Sequence, residues 1–263
     1  MKNLRKRLAC LLLSALLLIG CLPVTALAAE NGFILVVEAG GKLVIAPEYI
    51  SCTAGQTAAQ ALSASGHTFT GLDTGMISAI DGVTGNFTRS DENGNYDLSV
   101  SAASIGYLRF SEDMDSKPSD GLKQLMTAMA DYKKKGSDVQ AAAKKEYDTA
   151  SDLFVGINSE SAKTLASNLN DAVRNYENTL TGEHYAVRFT DGSAAYSDDN
   201  YHGVSITAVN AYGKQWTDDG DGVLELPKGD YTFCVEQAGL RVEGKITVSA
   251  AATVSACLLY TSD

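Results

Sequence analysis

Residues 119–180 read SDGLKQLMTAMADYKKKGSDVQAAAKKEYDTASDLFVGINSESAKTLASNLNDAVRNYENTL, and three apolar stripes run through them at helical spacing. The first is Leu122, Leu125, Met126, Met129 and Tyr132, opened by Pro118 and Ser119 and stopped by Gly136. The second is Val139, Ala142, Ala143, Tyr147, Ala150, Leu153 and Phe154, ending at Gly156. The third is Ala162, Leu165, Leu169, Ala172, Val173, Tyr176 and Leu180, with Ser159, Glu160 and Ser161 at its start and Gly182 beyond its end. Steps of three and four place each set on one helix face, and the short breaks predict antiparallel neighbours. The expectation is a three-helix spacer over 118–181 with a modest, Ala-rich core of its own. Lys133, Lys134, Lys135, Lys144 and Lys145 are expected on its solvated face.

At the N-terminus, Lys2, Arg5, Lys6 and Arg7 precede an apolar run from Leu8 to Leu22, and Ala26-Leu27-Ala28 is a small-x-small cleavage signal. This is the pattern of a secretory signal peptide over residues 1–28. Leu18-Ile19-Gly20-Cys21 also fits a lipobox, which would make Cys21 a lipidated first residue, although Pro23 to Ala28 favours ordinary cleavage. No second long apolar segment follows, so no membrane span is expected after it. Removing the leader takes four basic groups and no acidic ones, leaving 17 of the 21 Lys and Arg against 32 Asp and Glu, a formal charge of −15. Such an excess disfavours nucleic acid and anionic lipid as partners. Cys52, Cys234 and Cys257 are too scattered to form a disulfide framework.

Before the helices, the chain reads as a Gly40-Gly41 hairpin joining Phe33–Glu38 to Leu43–Ile50, then a short helix capped by Thr57 and ended by Gly66. Further strands are expected at Thr68–Leu72, Met76–Ile80, Tyr96–Val100 and Ile105–Phe110, with Asn93-Gly94 as a hairpin turn. This order predicts a β-grasp-like module over 30–115. Gly55-Gln56-Thr57-Ala58-Ala59-Gln60-Ala61-Leu62, followed by Ile77-Ser78-Ala79-Ile80-Asp81-Gly82-Val83, resembles the transcobalamin C-terminal-like modules of bacterial surface proteins. That resemblance implies a recognition module, and in the cobalamin carriers a corrinoid ligand. The family's Trp strand and V-N-G turn are replaced here by Tyr96-Asp97-Leu98, so the ligand does not carry over with the fold.

After the helices, strands are expected at His184–Thr190, Val204–Asn210, Val223–Leu226, Asp230–Gln237, Leu240–Val248 and Ala252–Ala256, separated by Gly- and Asp-rich turns. They predict an Ig-like or prealbumin-like β-sandwich over 183–256. Gly222-Val223-Leu224-Glu225-Leu226-Pro227-Lys228-Gly229-Asp230-Tyr231-Thr232-Phe233 resembles the Cna B-type and carboxypeptidase-regulatory-like stalk domains. Many of those carry a Lys–Asn isopeptide bond. The first strand here offers Arg188 and no Lys, and Glu236 lies five residues after Tyr231, on the opposite face by strand parity. No isopeptide bond is expected.

Catalytic signals are sparse. His67, His184 and His202 are the only histidines and have no metal-ligand spacing. There is no G-x-S-x-G elbow and no nucleotide-binding glycine loop. A Cys52–His67 thiol dyad has no supporting local context. Asp218, Asp219, Asp221 and Glu225 crowd one turn and offer oxygen ligands to calcium, as do Asp198 and Asp199. Their spacing is not that of an EF-hand, and an acidic turn in solvent is the simpler reading. At the C-terminus, Cys257–Asp263 (CLLYTSD) is also the translation of a transposon-end sequencing adapter, so the natural chain is expected to continue past Ala256.

These features predict an α+β multidomain protein, exported or held at a bacterial surface, with a recognition or display role, no catalytic step and no resident cofactor. Its extracellular ligand would be a glycan, a protein or a small molecule. One alternative is a carbohydrate-binding or accessory region of a larger secreted enzyme. Another is a small-molecule, corrinoid-like carrier.

Overall fold

The computed structural model describes residues 31–91, 94, 97–112 and 117–258. The signal-peptide region and Cys21 lie outside them, as do Asn93, Tyr96 and residues 259–263. The described chain is mixed α+β, with four helices and several sheets. No helix among the described residues is long and apolar enough to cross a membrane.

Strands β1 (Gly32–Ala39) and β2 (Lys42–Ser51) form an antiparallel hairpin. Gly40 and Gly41, at φ 58° and 71°, turn it in the left-handed region that glycine adopts without steric cost. The pairing slips between Leu35 and Val37, where β2 accommodates Ala46 and Pro47. Pro47 has no N–H for the ladder, and it is tolerated because β2 is an edge strand with a bulge at that point.

Helix α1 (Ala58–Ser63) is short and held by a complete capping box. Thr57 Oγ1 accepts from Gln60 N, and the Gln60 side chain accepts from Thr57 N. Small strands β3 (Phe69–Thr70), β4 (Ala79–Ile80) and β5 (Val83–Thr84) make a second sheet. Then β6 (Thr88–Ser90) and β7 (Tyr107–Ser111) return to the first, giving the order β2-β1-β7-β6 with β1 and β7 parallel.

The strand expected up to Val100 is absent over the described residues 97–100. The carbonyls of Leu98 and Val100 instead accept from Ala59 N and Ala58 N at 3.0 and 2.9 Å. The free amides of the α1 N-terminus have taken the acceptors a neighbouring strand would have used.

Helices α2 (Asp120–Lys133), α3 (Ser137–Asp152) and α4 (Ser159–Leu180) follow as the periodicity predicts. Ser119 caps α2 by accepting from Leu122 N at 3.2 Å, and Asn158, one residue before the expected Ser159, caps α4 through Ser161 N at 2.9 Å. Gly121 lies where α2 meets α4: a Cβ there would come within 1.9 Å of the Ser159 carbonyl oxygen.

The expectation of a separate helical core does not hold. The buried stripes of α2, α3 and α4 pack with Val36 and Tyr107 of the first sheet, and Ile34, Leu43 and Ala46 join them at the edge. The opposite face of the same sheet, Phe33, Leu35, Val37, Leu108 and Phe110, packs on α1, Ile77 and Ile80. The sheet is therefore covered on both sides, with the helices forming its second layer. The lysine run also departs from the expected solvated face. Lys133 bonds Glu48 at 3.0 Å, Lys134 lies 3.6 Å over the Tyr49 ring, and Lys135 pairs with Glu177 at 2.8 Å. Lys144, paired with Asp148 one turn on, remains exposed as expected.

The C-terminal region is two sheets around one core. One has the order β10-β9-β12-β13 and the other β11-β8-β14, with β8 and β14 parallel. Their ranges are β8 His184–Thr190, β9 Ser205–Asn210, β10 Gln215–Thr217, β11 Val223–Pro227, β12 Gly229–Gln237, β13 Leu240–Val248 and β14 Ala252–Ser255. Phe189 and Phe233 meet across the sheets, ring centroids 5.3 Å apart. Tyr196 is fully buried and donates to the Ala256 carbonyl at 2.6 Å.

Candidate ligand-binding groove and polar clusters

The acidic turn forms only in part as expected. Asp218, Asp219 and Asp221 bring carboxylate oxygens within 4.8 Å of one another. Glu225 stands outside that group, exposed on β11 opposite Ala186. Asp198 reaches the turn from the side: its N–H donates to the Gly220 carbonyl at 2.8 Å. Asp218 Oδ1 accepts from Gly222 N and Val223 N at 3.1 and 3.2 Å, and Asp221 Oδ1 accepts from Val223 N at 2.8 Å. Burial, with the Asp221 carboxyl beside it, holds Asp218 above its ordinary pKa. These oxygens fold the backbone into β11 as an Asx-type turn.

The parity argument for β12 holds. Tyr231, Phe233 and Val235 face the core, while Glu236 and, on β8, Arg188 face outward. Cys52, Cys234 and Cys257 are free thiols.

His67 is the centre of a polar cluster that sequence reasoning missed. Its Nδ1 lies 2.7 Å from Asp81 Oδ2, and its Nε2 bonds Glu48 Oε1. With a carboxylate at each nitrogen, the ring donates twice, which is the protonated form. Burial opposes that charge, but the bonds to Glu48 and Asp81 outweigh it and His67 is raised above 6.5. Burial likewise opposes the charge on Glu48, yet the bonds from His67 and Lys133 hold its pKa below 4.5.

Each member of the cluster is placed by a local feature. Asp81 sits at φ 47° beside Gly82 at φ 79°, a two-residue turn between β4 and β5, and its Oδ1 accepts from Thr68 N at 2.8 Å. Lys133 ends α2 and donates to the Ala46 carbonyl, which lies at the bulge, at 3.0 Å. The cluster thus ties β2, the small sheet and α2 together. Both ring nitrogens are occupied by carboxylates, so His67 has none left for Cys52.

A second buried pair joins β1 to β7 beside the helical layer. Arg109 Nε donates to Glu38 Oε1 at 2.7 Å and Nη2 to Glu38 Oε2 at 3.2 Å, a bidentate geometry. Glu38 is 4 % exposed. The pair borders Leu122 and Phe154 of the helical layer.

Where the helices meet the sandwich, an open groove of about 500 Å³ forms. Its floor is Tyr176 and Tyr231, both buried. Tyr231 donates to the Pro227 carbonyl at 2.8 Å, and burial pushes its pKa up to about 12. Tyr212, on the β9–β10 turn, is 44 % exposed and rests on Tyr176 with ring centroids 4.9 Å apart at 70°.

Asn210 fixes that arrangement. Its Oδ1 accepts from Tyr212 N and Lys214 N at 3.0 and 2.9 Å, and its Nδ2 donates to Tyr176 Oη at 2.9 Å. Tyr176 Oη also reaches Asp138 Oδ2 at 3.3 Å. Glu146 and Asn175 on the helices, and Lys228 and Asp230 on the sandwich, complete the walls. Only the aromatic and Asn content of these stretches was visible in sequence. That they converge is a product of the tertiary fold.

Comparison of the chain with protein-family models, with curated proteins and with solved structures gives no match.

Proposed function

We propose that this chain is the non-catalytic recognition part of an exported or surface-held protein, built from a β-grasp-like module and a prealbumin-like sandwich joined by helices. The strand orders β2-β1-β7-β6 and β10-β9-β12-β13 over β11-β8-β14 support those fold assignments. The leader-like N-terminus and the acidic remainder support an extracellular setting.

The observation that carries the recognition reading is the groove at the junction of helices and sandwich. It presents an exposed tyrosine held in place from beneath, with polar groups around it, on a rigid framework. Binding sites combine an apolar or aromatic surface with a few fixed polar groups in this way.

The test is to incubate the exported chain with panels of polysaccharides, peptides and corrinoids while measuring both retention and product release. Retention without product is the expected result. Steady product release, abolished by a point substitution in this chain, would overturn the reading.

A further inference from the structure

We infer that the groove between α3, α4 and the Pro227–Tyr231 corner takes an oligosaccharide of neutral or amino-bearing sugars, an inference that rests on the recognition reading above. A pyranose offers a flat C–H face and a rim of hydroxyls. Recognition therefore asks for an exposed aromatic ring in a fixed orientation, with unengaged hydrogen-bonding groups beside it.

Tyr212 meets the first requirement. Its ring is propped on Tyr176, and its backbone is locked by Asn210, so little ordering remains when a ligand arrives. The second requirement is met by the side chains of Glu146, Asn175 and Lys228, which have no hydrogen-bond or ion-pair partner among the described residues.

Length and charge narrow the class further. A second hollow of about 370 Å³ adjoins the groove and shares Asn210, Ala211, Asp230 and Tyr231 with it. Two hollows sharing one wall suit a chain of sugars better than a single ring. Over the two hollows Glu146 and Asp230 are balanced by Lys228 and Lys245, so no local excess of positive charge calls for an acidic sugar, and the acidity of the whole chain disfavours uronic and sialic acids. An amino group would find a carboxylate.

The molecule also carries its own reporter. Trp216 is the only tryptophan, and its ring meets the floor residue Tyr231 edge-to-face, centroids 5.3 Å apart.

The experiment uses the exported chain on immobilised neutral, amino and uronic polysaccharides, with retained protein and released reducing sugar measured together. Hits are then titrated in solution by Trp216 fluorescence. The expected result is retention on neutral or amino polymers without sugar release. Y212A should weaken binding about tenfold or more, Y212W should keep it, and the distant R188A should leave it unchanged.

Y212A gives up the ring's contact with Tyr176, so its thermal transition should fall by no more than about a few degrees and stay cooperative, which separates lost binding from lost fold. Binding that survives Y212A, a preference for uronic polymers, or no retention on any saccharide would each overturn this inference while leaving the recognition reading standing. Sugar release would overturn the recognition reading itself.

Discussion

The two β regions of this molecule bury their strands differently, and their sequences differ accordingly. In the sandwich, β12 alternates Tyr231, Phe233 and Val235 inward against Thr232 and Glu236 outward, and β13 alternates half-buried Leu240, Val242, Gly244 and Ile246 with exposed Arg241, Glu243, Lys245 and Thr247 before the buried Val248. Each sheet there has one wet face. In the N-terminal region, Phe33, Leu35, Val36 and Val37 are all fully buried, because α1 covers one face and α2–α4 the other. A strand that reads as an unbroken apolar run is covered twice, and one that alternates is covered once.

The largest effect that could break this comparison is expected at the Glu38–Arg109 pair, which joins β1 to β7 and borders Leu122 and Phe154 of the helical layer. R109M leaves a carboxylate buried without its bidentate partner and should cost about 3–5 kcal/mol. Urea unfolding followed by far-UV circular dichroism would measure it. A loss below about 1 kcal/mol would mean that water reaches Glu38 and that the helical layer is loose there.

Next comes a substitution in the helices themselves. Leu125 is fully buried in the core that α2 shares with β1 and β7, and L125A should cost about 3 kcal/mol. The informative readout is which transition moves. Trp216 lies in the sandwich, so its fluorescence follows that region, while far-UV circular dichroism is weighted toward the helices. The dichroic transition should shift and the fluorescence transition should stay. Equal shifts in both would show that the sandwich depends on the helices as strongly as the first sheet does.

Much of this fold was legible beforehand. Strands β8 and β13 match the expected ranges, and the Thr57 cap and the three helices were read from turn chemistry and periodicity. What misled was giving the helices a core of their own. Their stripes are narrow, and the apolar surface they lack is supplied by Tyr107 and by Ile34 and Val36, the last two signalled in sequence by the absence of alternation in β1. The groove was not legible, because Glu146, Asn175, Tyr212 and Asp230 lie on separate elements that only the packing of helices on sandwich brings together. The His67 cluster was hidden for the same reason: Glu48, Asp81 and Lys133 are far apart in the chain.

That cluster gives the N-terminal region a pH dependence for which no equivalent histidine cluster was found among the described residues of the sandwich. His67 is raised above 6.5, so its contribution is fully present below that value and is lost as pH rises through the folded pKa. Glu48 and Asp81 are lowered below 4.5 and 3.8, so theirs is present above those values and is lost as pH falls. The N-terminal transition should therefore be most stable from about pH 5 to 6.5 and weaken toward pH 8, by about 1 kcal/mol or less after solvent screening. H67Q should flatten the alkaline limb. An unchanged limb in H67Q would show that His67 is not its source.

The smallest effect compares two turns of one kind. Asp81-Gly82 and Ala238-Gly239 each place a non-glycine residue at positive φ, 47° and 48°, before a glycine in a two-residue hairpin. That geometry prefers Asn or Asp at the first position, where a short polar side chain tolerates the left-handed region and alanine does not. A238N should therefore stabilise the sandwich by about 0.5–1 kcal/mol, read from Trp216 fluorescence in urea. D81N keeps a favourable turn residue but removes one of the two charges on His67. It should lower the His67 pKa, visible by NMR titration of the ring, and cost stability near pH 6 without altering the hairpin. If A238N gains nothing, backbone strain at that turn is already relieved by its neighbours. If D81N leaves the histidine titration where it was, Glu48 alone holds the proton.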